Sequence, residues 1–517
     1  MPIHRPRIPN VKLASFLYRS YPLRSLVQVA ASEPKHPPST ALSTPIAIFT
    51  PQRVRLDNTK KATIEPQIYQ HTTANMETDT LHVDPQKLGN IAFRESRNDL
   101  IDEWDIQYAQ GKDYESLKRA AEELVNTDTP VAFPTETVYG LGADATRSSA
   151  VKAIFAAKGR PADNPLIVHV HSLSQLRTLL TGRGQLPGQV PDVGKDPIPE
   201  IYKPIIERFW PGPITIILPA PEISVLAPEV TAGLSTFGAR MPRSILALSL
   251  LRLCDRPLAA PSANASTRPS PTAAEHVLDD LQGRIHTIVD GGPCEVGVES
   301  TVIDGISGSP TILRPGGITV EQLRQCPGWE NVVTGYKDKQ EGGASKPRAP
   351  GMKYRHYSPK AEVVLFEAGA GQPTSEELTM KKKIGIIRTK SWKPALGLGV
   401  EKSSAMNGHT NGVLHTTKAS SSPHASPSRL SNLLRSVIQH QIPHAEHYSS
   451  TSSNAEIWDV NLGAETEGVA RGLFSALREL DKKGVDIIYV EGIDDTTGDD
   501  IAAAVMNRLR KAAEIRM

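Results

Sequence analysis

Cysteine, aromatic side chains and long apolar stretches are all scarce in this 517-residue sequence. The chain has three cysteines without a CxxC spacing, which argues against a disulfide framework and against a cysteine-ligated zinc site. No apolar stretch approaches the roughly 18 residues that a membrane-spanning helix needs, so no membrane association is expected. The low cysteine content favours a reducing compartment, and we predict a cytoplasmic protein.

Common signatures of nucleotide-binding and hydrolytic enzymes are also missing. The sequence contains no GxxxxGK[ST] phosphate loop, and no GxGxxG follows a strand-like segment. HExxH and GxSxG are absent as well, which excludes the usual zinc-protease and serine-hydrolase interpretations. If this chain binds a phosphorylated ligand, it must do so with side chains dispersed along the sequence.

Charge is balanced over the whole chain but not along it. The formal net charge is only +2, which excludes a uniformly basic nucleic-acid-binding chain and leaves room for a local basic cleft. Residues 1–56 carry eight Lys or Arg against one acidic residue, Glu33. This composition suits a mitochondrial transit peptide, which would give a mitochondrial form. A disordered basic tail is the alternative.

The distribution of proline, glycine and polar residues divides the chain into four parts. Residues 1–95 are predicted to be a disordered basic extension, and 108–326 a catalytic α/β domain. Residues 327–360 are predicted to be a linker, which would either act as a lid over the cleft or serve only as a basic tether between the domains. Residues 361–517 are predicted to be a second α/β domain, interrupted by a disordered Ser/His/Asn-rich insertion at 401–455.

Strand-like and helical segments alternate in both domains, which predicts layered α/β folds. TPVAFPTETVYGLG predicts a strand followed by a glycine-rich turn, and SSAVKAIFAAKGR predicts a helix whose N-cap is Ser148 or Ser149. ESTVIDGI and TILRPG are predicted to be paired strands. In the second domain, four strand-like segments and two amphipathic helices indicate a small doubly wound, Rossmann-like fold.

Two motifs in the first half of the catalytic domain carry candidate ligand-binding residues. PTETVYGLG presents Thr137 beside glycines that would permit close approach of a ligand, and an ordinary strand end is the alternative. In KGRPADNPLIVHV, Lys158 and Arg160 end a helix, where they would either offset its dipole or bind phosphate or carboxylate oxygens. Asn164 and His169 follow, and a histidine on a strand is more often a core residue than a catalyst.

Three later motifs add further polar and cationic side chains. AAPSANASTRPSPT is either an ordinary polar loop or a set of hydrogen-bonding groups for a ligand. STFGARMP contributes another cation, and ESTVIDG with TILRPGG contributes a hydroxyl and an arginine that would otherwise pair with a carboxylate. The residues concerned are Ser262, Asn264, Ser266, Thr272, Arg240, Ser300 and Arg314.

Taken together, these motifs supply one Lys, three Arg and several hydroxyl groups. No pair of residues suggests a nucleophile and its activating base. Such a set suits a site that positions an anionic ligand and stabilises charge, rather than one that forms a covalent intermediate.

In order along the chain, PTETVYGLG, KGRPADNPLIVHV, FWPGPITIIL, ARMP, PLAAPSAN, VESTVID and LRPG resemble the motifs of the YrdC family. The resemblance covers about residues 111–323 and is specific because the whole series occurs in order. The linker GMKYRHYSP and the C-terminal segment further resemble the two-domain subgroup of archaea, many bacteria and fungi. The resemblance implies a YrdC-like twisted sheet with helices around a basic concave cleft, plus a smaller Rossmann-like domain.

Proteins of that subgroup are threonylcarbamoyl-AMP synthases, so the resemblance implies a nucleotidyltransferase that uses L-threonine, bicarbonate and ATP. The residues that it places around L-threonine are Thr137, His169, Arg240, Ser262 and Ser300. The residues that it places around ATP are Lys158, Arg160, Asn164, Thr236, Asn264, Thr272 and Arg314. In the linker, it places Tyr357, with His356 beside it, over the nucleotide.

The resemblance also implies a mechanism and a set of partners. A carbamate of threonine would attack the α-phosphate of ATP and release pyrophosphate, with Mg²⁺ on the triphosphate. No residue is assigned a catalytic role, no metal site is predicted in the protein itself, and we favour a binding role for His169. The product would serve threonylcarbamoyladenosine formation in tRNA by a transfer complex, and direct contact with double-stranded tRNA is a further expectation.

Three other functions compete with this interpretation. An RNA-binding YrdC-like module would use the same basic cleft, although aromatic residues for base stacking are only 5% of the chain. A carbamoyl-transfer enzyme of hydrogenase maturation would carry cysteine-rich zinc segments that are missing here. A non-catalytic scaffold would use the C-terminal domain to bind a partner.

Overall fold

The computed structural model describes residues 76–95, 101–182, 195–335, 356–379, 383–398, 400–402, 442–450, 455–496 and 500–517. The predicted targeting segment, most of the linker and most of the insertion at 401–455 lie outside these ranges. None of the helices within the ranges is long and apolar enough to cross a lipid bilayer.

Strands already occur within the extension that the sequence predicts to be disordered. β1 (Asp79–His82) pairs in parallel with β10 (Thr287–Asp290), and β2 (Gly89–Glu95) pairs with β3 (Ile101–Tyr108) in an antiparallel hairpin. The predicted disordered extension of residues 1–95 is therefore wrong for residues 76–95. A four-residue strand with one buried apolar side chain, Leu81, is too short to show an alternating pattern.

The catalytic domain is built on a sheet whose described strands follow the order β1-β10-β4-β5-β9-β6-β8-β7-β11-β12-β13. Its other strands are β4 (Val131–Pro134), β5 (Tyr139–Asp144), β6 (Ile167–His169), β7 (Ile214–Pro219), β8 (Thr236–Arg240), β9 (Leu258–Ala259), β11 (Thr301–Asp304), β12 (Thr311–Arg314) and β13 (Val333–Thr334). The predicted pairing of ESTVIDGI with TILRPG is confirmed, since β11 and β12 are antiparallel neighbours.

Helices cover this sheet and connect its strands. They are α1 (Lys112–Asn126), α2 (Ser148–Lys158), α3 (Leu173–Thr181), α4 (Lys203–Phe209), α5 (Pro228–Thr231), α6 (Ile245–Cys254), α7 (Ala274–Leu281) and α8 (Val320–Arg324). Short 3₁₀ turns lie at Pro85–Lys87 and Glu200–Tyr202. The predicted serine cap of α2 is wrong: Arg147 holds the N-cap position, and the Ser148 hydroxyl donates to Glu229 at 2.8 Å.

The C-terminal domain has a second sheet with the strand order β16-β17-β18-β15-β19-β14-β20 among the described residues. Its strands are β14 (Glu362–Phe366), β15 (Lys383–Arg388), β16 (Val400–Lys402), β17 (Glu446–Ser450), β18 (Glu456–Asn461), β19 (Ile487–Glu491) and β20 (Ile515–Arg516). Its helices are α9 (Ser375–Thr379), α10 (Thr466–Lys482) and α11 (Asp500–Ala512), with a 3₁₀ turn at Pro394–Gly397. β18, β15, β19, β14 and β20 run parallel, as expected for a Rossmann-like domain.

The structure differs from the sequence prediction at two boundaries, the start of the linker and the limits of the insertion at 401–455. Trp329 is fully buried beside Tyr202, and β13 pairs with β12, so residues 327–335 belong to the catalytic domain rather than to the linker. The insertion is also narrower than 401–455, because its two ends form the antiparallel pair β16 and β17. In both places polar residues that look like loop in sequence take part in strand pairing at a sheet edge.

The two domains share an apolar cluster. Val298 of the catalytic domain belongs to the same cluster as Phe474 on α10. On that helix, Arg478 donates to the buried carboxylate of Asp280 at 2.7 Å. The C-terminal domain therefore packs directly against the catalytic domain, at Asp280 and at Val298, which lies two residues before Ser300 of the VESTVID motif.

Candidate active site

The turn of the β4–β5 hairpin carries the hydroxyl groups of the first motif. Thr135 Oγ1 donates to the carbonyl of Val138 at 2.7 Å and accepts from the N–H of Thr137 at 3.2 Å. Gly142 lies within β5, where a Cβ would come within 2.6 Å of the Phe133 ring. The predicted glycine-rich turn is therefore wrong: the TETV residues form the turn, and the glycine permits close packing inside the strand.

A buried ion pair lies behind this turn. Arg240, at the end of β8, contacts Glu136 Oε1 at 2.6 Å and donates from Nη1 to Thr137 Oγ1 at 2.9 Å. Both charged side chains are almost fully enclosed. Burial raises the pKa of Glu136, but Arg240 and Arg243 with their hydrogen bonds together outweigh burial, and the pKa lies below its usual value. The pair is therefore ionised, and Arg240 fixes the Thr137 hydroxyl by the hydrogen bond that it donates.

His169 ends β6 directly opposite Arg240, its partner in the parallel β6–β8 ladder. Burial, followed by repulsion from Arg240, lowers the pKa of His169 to about 3. The imidazole is therefore neutral at physiological pH. A group with so low a pKa accepts a proton poorly, which favours a binding role over that of a general base.

Lys158 supports a loop rather than projecting into open space. Its Nζ donates to the backbone carbonyl of Asn264 at 2.5 Å and makes a close contact with the carbonyl of Ser262. Burial, followed by repulsion from Arg160, holds the pKa of this amine well below its ordinary value. The Ser262 hydroxyl in turn donates to Asn264 Oδ1 at 2.5 Å. Lys158 thus fixes the backbone from which two other predicted ligand-binding residues extend.

Arg160 and Asn164 offer polar atoms that the protein does not satisfy. Gly159 ends α2 in the left-handed conformation, with φ of 61°, and this turns Arg160 into the cleft. One Arg160 nitrogen donates to the Pro165 carbonyl at 3.2 Å. Arg160 Nε and Asn164 Oδ1 are buried and have no hydrogen-bond partner within the described residues. Buried polar atoms of this kind are normally satisfied, which makes them candidates for contact with a ligand.

Ser300 and Arg314 form the wall opposite. Arg314 donates from Nε to the Ser300 carbonyl and from Nη2 to its hydroxyl, both at 3.1 Å. The Ser300 hydroxyl also lies 2.8 Å from Thr215 Oγ1 on β7. Since Arg314 ends β12 and Ser300 immediately precedes β11, the antiparallel pairing of these strands brings the two side chains together.

Tyr357 of the linker lies near Arg160 and Arg314. Its ring stacks on Phe474 with 5.1 Å between ring centroids, and the side chain is 6% exposed. Its backbone has φ of 66°, and the following N–H of Ser358 donates to the Thr267 carbonyl at 2.9 Å. The linker residues before His356 that the sequence also indicated lie outside the described ranges.

These elements enclose a cavity of about 260 Å³. Almost all of the predicted ligand-binding residues line it, namely Thr137, Lys158, Arg160, Asn164, His169, Arg240, Ser262, Asn264, Ser300, Arg314, His356 and Tyr357. One cavity therefore joins residues from the β4–β5 turn, the ends of α2, β6, β8 and β12, the loops between them and the linker.

The structure does not place Thr236 and Thr272 in this lining. Thr236 begins β8, and the five-residue strand separates it from Arg240 by about 13 Å. The hydroxyl of Thr272 lies 2.8 Å from that of Ser475 on α10, so it belongs to the contact between the domains. Sequence order alone cannot distinguish a motif residue that faces the cavity from one that faces a neighbouring helix.

Two carboxylates of the site escape prediction from sequence because no motif directs attention to them. Glu136 lies inside PTETV and Glu299 directly before Ser300, yet each is buried against an arginine. The sequence feature that could have identified them is an acidic residue inside a motif that is otherwise rich in hydroxyl groups. Arg508, the partner of Glu299, gives no local signal because it lies on α11 in the other domain.

The residues of the cavity do not form a metal cage. Within the described ranges no group of three or more His, Cys, Asp or Glu side chains is arranged to hold an ion. Glu299, the carboxylate in the lining, is already engaged by Arg508 and by the hydroxyl of Ser270.

Comparison with known proteins assigns the family. Residues 123–316 match the Sua5/YciO/YrdC domain model, described as "Telomere recombination", and residues 318–514 match "Threonylcarbamoyl-AMP synthase, C-terminal domain". The threonylcarbamoyl-AMP synthase of Schizosaccharomyces pombe is 39% identical over 462 residues, which cover 85% of this chain and 98% of that protein. The chain belongs to the threonylcarbamoyl-AMP synthase family.

Other members of the threonylcarbamoyl-AMP synthase family show similar coverage. The protein of Pyrococcus abyssi is 38% identical, covering 81% of this chain and 96% of its own, and that of Bacillus subtilis is 41% identical, covering 76% and 92%. A crystal structure of P. abyssi Sua5 complexed with L-threonine has a TM-score of 0.57 and 34% identity, and the match covers 85% of this chain and 100% of that one. These matches extend through both domains and favour the threonylcarbamoyl-AMP synthase interpretation over that of an RNA-binding module.

Proposed function

We propose that this protein is a threonylcarbamoyl-AMP synthase that condenses L-threonine, bicarbonate and ATP into threonylcarbamoyl-AMP and pyrophosphate. The observation that carries the proposal is the division of the cavity into two ends. At one end, Arg240 pairs with Glu136, donates to Thr137 and lies beside His169 in the β6–β8 ladder; at the other, Arg160 lies near Arg314 and Tyr357 of the linker. The first end suits a zwitterionic amino acid, and the second suits phosphate oxygens.

The proposed reaction needs no protein nucleophile. The threonine amine and bicarbonate give a carbamate and water. A carbamate oxygen then attacks the α-phosphorus of ATP, the bond from that phosphorus to the bridging oxygen breaks, and pyrophosphate leaves. Arg240 would hold the threonine carboxylate, while Ser262 and Ser300 would orient the amino acid. Arg160 and Arg314 would stabilise charge on the phosphates, a role that needs fixed donors rather than an acid–base pair.

Pyrophosphate release by the full-length protein tests this function. We expect release only when L-threonine, bicarbonate and ATP are all present, and threonylcarbamoyl-AMP as the other product. Release without threonine would contradict the proposed reaction, and tRNA binding without any turnover would favour the RNA-binding alternative. The further proposals are delivery of the product to a tRNA threonylcarbamoyl-transfer complex, direct contact with tRNA, and a cytoplasmic location with a mitochondrial form directed by the basic N-terminus.

Replacing His169 with asparagine is expected to weaken threonine binding without changing the pH dependence of the reaction. Because the pKa of His169 is about 3, its imidazole stays neutral from about pH 5 to 8 and contributes no ionisation there. The measurement is kcat/KM for threonine as a function of pH in both proteins. An ionisation near pH 6.5 that disappears in His169→Asn would contradict the binding role and indicate a general base.

Replacing Tyr357 with alanine is expected to weaken ATP binding and to increase loss of the adenylate to water. The ring lines the cavity and is held in place by stacking on Phe474. A pair of this kind contributes about 1 kcal/mol to holding the linker against the site, so its loss should weaken ATP binding by up to roughly fivefold. The measurement is the amount of threonylcarbamoyl-AMP formed per pyrophosphate released. Tyr357→Phe keeps the ring and serves as the control.

Unchanged coupling in Tyr357→Ala would show that the linker does not close the site. A point variant is a sharper test than truncation after Pro350. Truncation would also expose the shared apolar cluster, in which Val138 and Val298 pack with C-terminal residues.

A further inference from the structure

Arg508 reaches from the C-terminal domain to the wall of the cavity. It lies on α11, its side chain has no exposed surface, and its Nε lies 3.1 Å from Glu299 Oε2. Its Nη1 donates to the carbonyl of Pro315, the residue after Arg314, at 2.5 Å. A guanidinium this deeply buried is held by both a carboxylate and a backbone carbonyl, which fixes its position.

Glu299 is part of the cavity lining, and each of its two carboxylate oxygens already accepts a hydrogen bond from the protein. Its second oxygen accepts from the Ser270 hydroxyl at 2.5 Å. Burial alone would raise the pKa of Glu299, but Arg508, followed by Arg314, outweighs burial and lowers the pKa to about 2. The cavity wall therefore carries a permanent negative charge next to Ser300, although the substrate proposed for this end of the site is an anion.

The carboxylate of Glu299 also affects the pKa of Arg314. Burial lowers the pKa of Arg314, Glu299 is the strongest influence that raises it, and Arg508 lowers it by repulsion. Arg314 meanwhile donates to both the carbonyl and the hydroxyl of Ser300. If Arg508 were removed, Glu299 would keep Arg314 as its neighbouring cation, and attraction would draw that guanidinium towards the carboxylate.

We propose that Arg508 is a positioning residue for adenylate formation: by holding Glu299, it leaves Arg314 to bind the phosphate oxygens of ATP. This inference rests on the proposed function. It gives the C-terminal domain a part in the chemistry, although its described residues contribute no side chain to the cavity lining.

The linker is connected to the same carboxylate. Burial, followed by the neighbouring Glu299, raises the pKa of the Tyr357 hydroxyl to about 12. The hydroxyl is thus a donor at every physiological pH. Through Arg508, Glu299 and Tyr357, one network of polar contacts therefore connects the C-terminal domain, the catalytic domain and the linker.

Kinetics of the full-length Arg508→Met variant test the proposal. We expect the KM for ATP to rise about tenfold, because Glu299 competes for Arg314, and the KM for threonine to change less than about threefold. The matched control is Arg510→Met on the same helix. Arg510 pairs with Glu367 and Asp495 inside the C-terminal domain, so its loss should leave both KM values unchanged.

A second substitution separates competition for Arg314 from simple loss of structure. In the double variant Arg508→Met with Glu299→Gln, the competing charge is gone, and the KM for ATP should return to within about threefold of wild type.

Two results would overturn the proposal. One is an equal rise in both KM values that Glu299→Gln does not reverse. The other is a lowered unfolding temperature in Arg508→Met with unchanged KM values. Failure of the proposed function would be seen separately, in the wild-type protein, as pyrophosphate release that does not need threonine and bicarbonate. In that case calorimetric ATP binding by wild type, Arg508→Met and the double variant tests the role of Arg508 independently of turnover.

Discussion

Replacing Arg160 with alanine is expected to lower the rate of pyrophosphate release by about one to two decades while the fold survives. Arg160 lines the cavity, its Nε has no hydrogen-bond partner within the described residues, and its contacts to the protein are to loop carbonyls. Losing a charge-assisted hydrogen bond costs about 1.5–3 kcal/mol, which corresponds to this range. The defect should appear mainly with ATP, because the proposed ligand of Arg160 is a phosphate.

The measurement is steady-state pyrophosphate release with each substrate varied, together with thermal unfolding. Arg324→Ala is a suitable control, because Arg324 is an exposed residue of α8 whose ion pair with Glu321 spans 3.9 Å. Turnover close to wild type in Arg160→Ala would remove Arg160 from the nucleotide site. A much lower unfolding temperature would instead assign it a structural role.

Replacing Arg240 with methionine is expected to destabilise the protein by about 3–5 kcal/mol and to abolish threonine binding. The substitution leaves Glu136 with no exposed side-chain surface and without its closest cation. Removing one partner of a buried ion pair costs this much because the remaining charge loses its main compensation, and Glu136 would keep only the weaker influence of Arg243. Threonine binding should be lost because the cation proposed to hold its carboxylate is gone and the Thr137 hydroxyl loses its donor.

The pH dependence of the free energy of unfolding tests the same ion pair, because its direction follows from the pKa shift of Glu136. In the wild type the pKa of Glu136 is depressed, so the pair stabilises the fold above the unfolded pKa, for which the ordinary value is 4.5. That contribution is lost as the pH falls through the still lower folded pKa. The stability difference between wild type and Arg240→Met should therefore be largest near neutral pH and shrink on acidification.

Denaturant unfolding at several pH values and calorimetric threonine binding measure these effects. Glu136→Gln combined with Arg240→Met is the control, because it removes the stranded charge. Most of the stability should return in this double variant, whereas threonine binding should not. If Arg240→Met alone is as stable as wild type, Glu136 is not ionised in the folded protein.

Many features of this site are predictable because their signals are local. Each motif is a short string in which hydroxyl, cationic and glycine residues lie beside strand-like segments, and the order of the strings identifies the domain. The alternation of strands and helices likewise predicts both α/β folds, since periodicity depends on neighbouring residues. His169 is distinguished from a routine core residue only by its place in the motif series, because a single histidine on a strand gives no such signal.

Local sequence patterns are enough to establish the family, the two α/β domains and about half of the residues that line the cavity, including most of its charged side chains. What those side chains contact depends on the folded chain. Lys158 holds backbone carbonyls, Thr272 meets Ser475 on α10, and Glu299 is held by an arginine 209 residues away. The physical reason is that a buried charge or hydroxyl must find a partner, and packing between distant segments, which has no local pattern, selects which partner it is.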